Sequence, residues 1–313
     1  MDAVVGLLDG VRARGAFLLR MKMDPPWSMS IRDEAPLTLI CQTHGEAVIV
    51  SESAGTTRLA PGDVALTRGT EHYLFADDPA TKPMVVINPG QRCTTLSGDD
   101  LRFEMSLGVR TWGNSASAAT TSLICAYEGH SAVSGRLLDA LPTVLVLRAD
   151  DWNSPLVGLL AAEAGLDGPG QEAYLDRLLD VLLIAVLRTW FDRDGNAPTW
   201  WHAERDPVVG HALKLIYNNP AHPWTVANLA AAVGNSRAVF ARRFTDQVGE
   251  PPIAFLTTWR LALAADMLRS GRITIAAIAR QVGYGTPFAL SSAFKRAYGV
   301  SPNVYRETAA SSA

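Results

Sequence analysis

Cysteine is scarce in this chain: Cys41, Cys93 and Cys125 are the three among 313 residues. They are too few and too scattered for a disulfide framework or a zinc motif. Long apolar runs are missing as well. A membrane-spanning helix needs about 20 consecutive apolar residues, and the nearest approach, residues 178–187, is broken by Asp180 and flanked by Arg177 and Arg188. The first residues do not read as a secretory signal, because Asp2, Asp9 and Arg12 interrupt them. Charge is modest at 19% against 48% apolar residues, which excludes a disordered polyelectrolyte and suits a folded protein. These absences lead to the expectation of a cytoplasmic protein with reduced thiols and no membrane partner.

The chain is long enough for two domains with separate cores. The net charge of −3 hides an uneven split. Residues 1–205 hold 17 Lys+Arg against 26 Asp+Glu, whereas residues 206–313 hold 11 against 5. A basic block joined to an acidic body fits a nucleic-acid-binding unit attached to something else, although charge alone does not distinguish this from chance variation between domains.

Residues 1–148 carry short apolar runs at 37–41, 47–50, 64–67 and 84–87, separated by turn clusters such as Ser53-Ala-Gly55 and Pro61-Gly-Asp63. Many short strands with frequent turns predict a sandwich or small barrel, with helix confined to residues 4–14 and 137–141. Asn153-Ser154-Pro155 marks a helix start. Residues 171–191 then place Leu175, Leu178, Leu179, Leu182, Leu183, Val186, Leu187 and Trp190 on one broad helical face. That face suits a dimer seam, packing on the chain's own barrel, or both. Residues 193–206 are polar and interrupted by Gly195 and Pro198, which reads as a linker. The expected division is therefore a domain over 1–192, a linker over 193–206 and a helical domain over 207–308.

The helical domain contains an internal repeat at a spacing of 49–50 residues. Thr225 pairs with Thr274, Ala230 with Ala279, Gly234 with Gly283, Phe244 with Phe294, Gly249 with Gly299 and Pro252 with Pro302. Each pair has a role in a helix-turn-helix. The threonines cap the first helix, the alanines allow a close helix crossing, and Gly234 and Gly283 suit a turn with positive φ. Ser236 and Thr286 can cap the second helices, with Pro287 in a first turn. Phe240, Phe244, Leu290 and Phe294 hold those helices to their cores. The outer face of the first recognition helix then carries Arg237, Ala238, Ala241 and Arg242, groups able to bind guanine edges or thymine methyls. The matching face of the second carries Pro287, Phe288, Ser291 and Ser292. Thr225, Ser236, Thr274, Thr286, Ser292, Lys295 and Arg296 are expected to hold phosphates. A helix over 253–269 would set the two recognition helices about 34 Å apart, in successive major grooves. A plain helical bundle imitates one such unit more readily than two in register.

Residues 207–308 resemble the AraC/XylS family of transcription regulators. The resemblance rests on Leu229-Ala230, Val233-Gly234, Ser236, Phe240, Arg243-Phe244, Gly249 and Trp259-Arg260. It is densest over Ile278-Ala-Arg-Gln-Val-Gly-Tyr284, Ala293-Phe-Lys-Arg-Ala-Tyr-Gly-Val-Ser-Pro302 and Tyr305-Arg306. It implies a double helix-turn-helix bound to double-stranded promoter DNA, usually activating transcription, with RNA polymerase as a further partner. The family often has larger polar residues where Pro287 and Phe288 stand. Residues 1–190 resemble, less closely, the cupin-type sensor domain of one branch, through Pro61-Gly-Asp63, Arg68-Gly-Thr-Glu-His72 and Leu137-Leu-Asp-Ala-Leu-Pro142. That implies a multidomain α+β chain, with a cupin-like β-barrel that binds an effector, forms a homodimer, or does both.

A catalytic or metal-binding cupin needs several His and Glu ligands in one barrel. His44, His72 and His130 form no His-x-His pair, so no enzyme activity, metal or cofactor is expected. The alternatives are a cupin enzyme with a helical appendage and an adaptor that binds protein rather than DNA. Within the first domain, His72 beside Glu71 reads as an anion or metal contact, or as an ordinary histidine. Arg92 beside Cys93 could lower that thiol's pKa, which makes Cys93 and Cys125 redox candidates or buried thiols. Trp27, Trp112 and Tyr127 are candidates to line an apolar effector pocket, or simply to be core.

Overall fold

The computed structural model describes residues 16–311 apart from 70, 128–137, 153, 194–196 and 272. The helix expected over 4–14, His130, Asn153 and Leu137 lie outside the described residues. The described chain divides into two units, one ending at residue 193 and one following residue 196.

The first unit is built from two sheets. One runs in the order β10 (Ser106–Gly108), β11 (Thr111–Gly113), β1 (Phe17–Met23), β12 (Thr120–Tyr127), β3 (Leu37–His44), β6 (Val64–Arg68), β13 (Val144–Leu147). The other runs β5 (Gly55–Leu59), β4 (Ala47–Ser51), β7 (Tyr73–Ala76), β2 (Ser28–Ile31), β8 (Val85–Asn88), β9 (Arg92–Thr94). The expected runs at 37–41, 47–50, 64–67 and 84–87 are β3, β4, β6 and β8. Strands β1, β2 and β12 did not stand out as separate elements in the sequence. Met21, Ile40 and Ala65 from the first sheet meet Met29, Ile49, Phe75 and Val85 from the second in one core between them.

The central strands of the first sheet are buried on both faces, which is why they read as continuous apolar runs rather than as an alternation. In β3, Ile40 belongs to the core between the sheets, while Leu37, Leu39 and Cys41 stand opposite Tyr127, Cys125 and Leu123 of β12. This outer face is covered by α2 (Gln171–Phe191), which follows α1 (Leu156–Glu163). The Tyr127 hydroxyl donates to the carbonyl of Leu179 at 3.0 Å. Leu175, Leu179, Leu182, Leu183, Val186, Leu187 and Phe191 of α2 are buried within this unit, while Leu178 and Trp190 are half-buried. Of the two readings of the stripe, packing on the chain's own barrel accounts for its buried residues.

The Pro61-Gly-Asp63 turn owes its geometry to Asp63, which is only 3% exposed. Its carboxylate accepts from the amides of Ala60 and Ala149 at 3.0 and 2.9 Å and from the Arg148 guanidinium at 2.7 Å. It therefore ties the β5–β6 turn to the end of β13, two points 86 residues apart.

The second unit is helical. It contains α3 (Thr199–Ala203), α4 (Val209–Asn218), α5 (Val226–Ala232), α6 (Arg237–Val248), α7 (Pro252–Arg269), α8 (Ile275–Gln281), α9 (Pro287–Tyr298) and α10 (Pro302–Ser311). The stretch expected as a polar linker includes α3, with Trp201 and Ala203 buried. The polar residues around it concealed a short helix that belongs to this unit.

Replacing Asp63 by Ala leaves buried donors unmatched and is expected to lower stability by about 2–4 kcal/mol. Arg148→Ala, at a half-exposed guanidinium, should cost less than about 1 kcal/mol. Urea unfolding of the two variants checks that order; equal losses would contradict it.

Candidate nucleic-acid interface

The repeat in the sequence is a repeat in structure. Helices α5 and α8 have 7 residues each, and α6 and α9 have 12 each. The first turn, residues 233–236, is one residue shorter than the second, residues 282–286, which lengthens the spacing from 49 to 50. All four helices are capped by the expected side chains. Thr225 Oγ1 accepts from the Asn228 amide at 3.1 Å, and Asn228 Oδ1 accepts from the Thr225 amide at 2.7 Å. Ser236, Thr274 and Thr286 accept from the amides of Val239, Ala277 and Ala289 at 3.4, 3.2 and 3.1 Å. Gly234 and Gly283 have φ of 67° and 84°, as their turns require.

Each helix pair packs on its own core, and α7 takes part in both. Phe240 and Phe244 lie with Leu229 and Ala230 against Phe255, Leu256 and Trp259 of α7. Leu290 and Phe294 lie with Ile278 and Ala279 against Leu261, Ala264 and Leu268 of the same helix. This inward packing leaves the other faces to solvent. On α6, Arg237, Ala238 and Arg242 are exposed and Ala241 is half-buried. On α9, Pro287, Phe288 and Ser292 are exposed and Ser291 is half-buried. Ser291 spends its hydroxyl hydrogen on the carbonyl of Pro287 at 2.8 Å. Phe288 is 81% exposed. Lys295 and Arg296 are exposed one turn further along.

Three ties that sequence reasoning did not assign hold these units together. Arg260 donates to the carbonyls of Pro220 and His222, both at 2.7 Å, and so fixes the loop before α5. Arg306 donates to the carbonyl of Ile273 at 2.9 Å and fixes the loop before α8. The residue before each arginine is an aromatic in the adjoining core: Trp259 packs on Tyr217 and Tyr305 on Phe294. Asp206 caps the start of α4 through the amides of Val208 and Val209 and binds Arg243 and Gln247 of α6. Burial opposes its ionisation, but the Val209 amide, Arg243, Gln247 and the Val208 amide together hold its pKa down to about 2.

The candidate residues of the first unit fall into different places. His72 is exposed. Glu71 turns to Ser53, accepting from its amide at 2.9 Å. Of the two readings of Cys93, the buried thiol is the one that fits its surroundings. Burial pushes this thiol up to about 11, aided by Asp100 and opposed by Arg102. Residues 92 and 93 are neighbours on a strand, so Arg92 is exposed while Cys93 is buried. Burial likewise raises Cys125 well above the usual thiol range, with Cys41 adding to it. Neither thiol is disposed to ionise. Trp112 lines a cavity between the two sheets, together with Met21, Met29, Ile31, Ile87, Cys93 and Ile124. Trp27 packs edge-on to Phe75, 5.2 Å between centroids, and Tyr127 is engaged with α2 instead.

Two substitutions test this geometry. Asp206 has a folded pKa below the unfolded value of about 3.9, so its contribution is present above that value and lost as pH falls toward 2. The gap in urea midpoint between wild type and Asp206→Asn should therefore narrow from neutral pH to about pH 3; a constant gap would contradict it. A Cβ on Gly283 would come 2.7 Å from Ala221 Cα, whereas one on Gly234 meets nothing within 4 Å. Gly283→Ala should thus lower the thermal midpoint more than Gly234→Ala, which adds only left-handed strain of about 1–2 kcal/mol. The reverse order would refute the close approach.

Residues 2–192 match the family described as Cupin, and residues 229–308 match one described as a helix-turn-helix domain. A putative AraC-like transcription regulator from Streptomyces antibioticus is 43% identical over 176 residues, 55% of this chain and 58% of the relative. The chain thus spans little more than half the length of that relative. The HTH-type transcriptional regulator AlkR from Acinetobacter baylyi is 26% identical over 98% of this chain and 99% of the relative. Among solved structures, the C-terminal domain of AraT, a response regulator from Geobacillus stearothermophilus, is 36% identical, covering 33% of this chain and 86% of that one with a TM-score of 0.32. The sheet-rich first unit and the paired helix-turn-helix agree with the two family matches: the chain belongs to the cupin family, with a helix-turn-helix domain following the cupin domain.

Proposed function

We propose that this protein is a sequence-specific regulator of transcription that binds promoter DNA through α6 and α9. The observation that supports it most is the pair of outer helix faces. Arg237, Arg242, Lys295 and Arg296 are exposed there, and none forms an ion pair among the described residues. Cations without acidic partners on two similarly capped helices are suited to neutralising phosphates and reading base edges.

The two helices are assigned different tasks. Arg237 and Arg242 read guanine edges from α6, with Ala238 and Ala241 small enough to admit the helix to the groove. The second helix offers no strong hydrogen-bonding group at its front. Its lysine and arginine hold phosphates, as do the hydroxyls of Thr225, Ser236, Thr274 and Thr286, each of which accepts an amide hydrogen and keeps its own to donate. Phe288 supplies what base reading α9 has, by packing on a thymine methyl. The cupin domain governs the module by binding a small molecule, by pairing two chains, or by both. A second copy of the chain and RNA polymerase are the protein partners in this reading, which rests on the family resemblance.

Gel-shift titration against the promoter region upstream of the chain's own coding sequence tests the proposal. Arg242→Ala should weaken binding to the cognate site by about 1–3 kcal/mol and to random DNA far less. Equal loss on both would reduce Arg242 to a phosphate contact. Lys295→Ala should lower affinity for all sequences and make the salt slope shallower by about one unit; an unchanged slope would remove it from the backbone set. Replacing single thymines with uracil should weaken wild type at one position and leave Phe288→Ala indifferent there. Wild type insensitive to every such replacement would refute the methyl contact.

A further inference from the structure

The cavity between the two sheets of the cupin domain has a lining that is almost wholly carbon. Along β1, β2, β8 and β12 the inward positions Met21, Met29, Ile31, Ile87 and Ile124 face it, and Trp112 stands beside them. About 40 Å³ is open to the centre of a water-sized sphere. One water needs about 10–15 Å³ by that measure and two to four polar partners. The space is therefore large enough for several waters but offers them little to bind. Apolar cavities of this kind stay dry and accept apolar guests.

Three of the polar side chains on its border, Asp33, Gln91 and Tyr73, are already engaged. Gln91 Nε2 donates to Asp33 Oδ2 at 2.8 Å, and the Thr67 hydroxyl donates to the Tyr73 oxygen at 3.4 Å. Burial raises the pKa of the Tyr73 phenol, as it does that of the Cys93 thiol, so both stay neutral. Among the described residues no Lys, Arg or His lines the cavity, so a bound carboxylate would find no counter-ion and would meet Asp33. A cationic guest would have to displace the Gln91–Asp33 bond to reach its only partner.

We infer that this cavity is a binding site for a small uncharged, hydrocarbon-like molecule, a single aromatic ring or a short alkyl chain, held by shape and burial without an ionic anchor. The inference deepens the effector reading and rests on it only for any consequence at DNA. Two unbranched methionines in the lining can readjust to the guest, which suits a site that selects by polarity more than by outline.

The test uses the full chain with toluene, benzoate and benzylamine as probes, followed by the thermal midpoint and by the methyl resonances of Met21 and Met29. At tenfold excess over its Kd, toluene should raise the midpoint by about 2–4 °C and shift both methyl signals. Benzoate and benzylamine should do neither. Ile124→Phe, which fills the cavity, should abolish the toluene response. If that variant does not fold, xenon under pressure on the wild-type chain replaces it and should shift the same two methyl signals. Benzoate acting as well as toluene, a full toluene response in folded Ile124→Phe, no toluene response, or xenon signals confined to other methionines would each overturn the inference. A gel shift on the same preparation separates the two claims. Toluene binding without any change in promoter affinity supports the cavity and counts against the effector reading alone.

Discussion

Helix α7 buries side chains on two faces, and the helix-turn-helix half is organised around that fact. Phe255, Leu256 and Trp259 close one core, while Leu261, Ala264, Ala265 and Leu268 close the other. Helices of 7 residues such as α5 and α8 are too short to persist alone in water. Burial of each large apolar side chain contributes about 1.5–3 kcal/mol, and a cap about 1 kcal/mol. The shared wall therefore decides whether the two units exist, and the caps refine where their helices begin. Because one helix serves both cores, the recognition helices are held in a fixed relation to each other.

Arg260 and Arg306 extend the same logic to the loops. Each projects from a helix that closes a core and donates to carbonyls just ahead of a helix-turn-helix. Using arginine on carbonyls commits two positive charges to holding these loops. The cations left on the outer faces are then Arg237, Arg242, Lys295 and Arg296, and their placement gives the two helices unequal chemistry.

What was legible in the sequence was local. Threonine before an apolar helix, glycine at a turn and phenylalanines four residues apart act over one or two turns of chain, so the repeat revealed both helix-turn-helix units and their caps. Relations across the chain left no such mark. Carbonyl acceptors for Arg260 and Arg306 cannot be read from composition, and Asp206 lay in a stretch that looked like linker. Strand alternation shows which of Met21, Met29 and Ile124 face inward, but not that the two sheets stand far enough apart there to leave a cavity. The sequence left Cys93 open between a redox thiol and a buried one, because a neighbour in sequence need not be a neighbour in space. On β9, Arg92 is exposed and Cys93 is buried.

The central claim is that one chain presents two unequal readers to successive major grooves. Footprinting of the promoter complex with hydroxyl radicals and dimethyl sulfate tests it most directly. The account predicts, for each bound chain, two protected backbone segments about one helical turn, 10–10.5 base pairs, apart, with guanine N7 protection in only one of them. A single protected segment per chain, or guanine protection of equal strength in both, would contradict it.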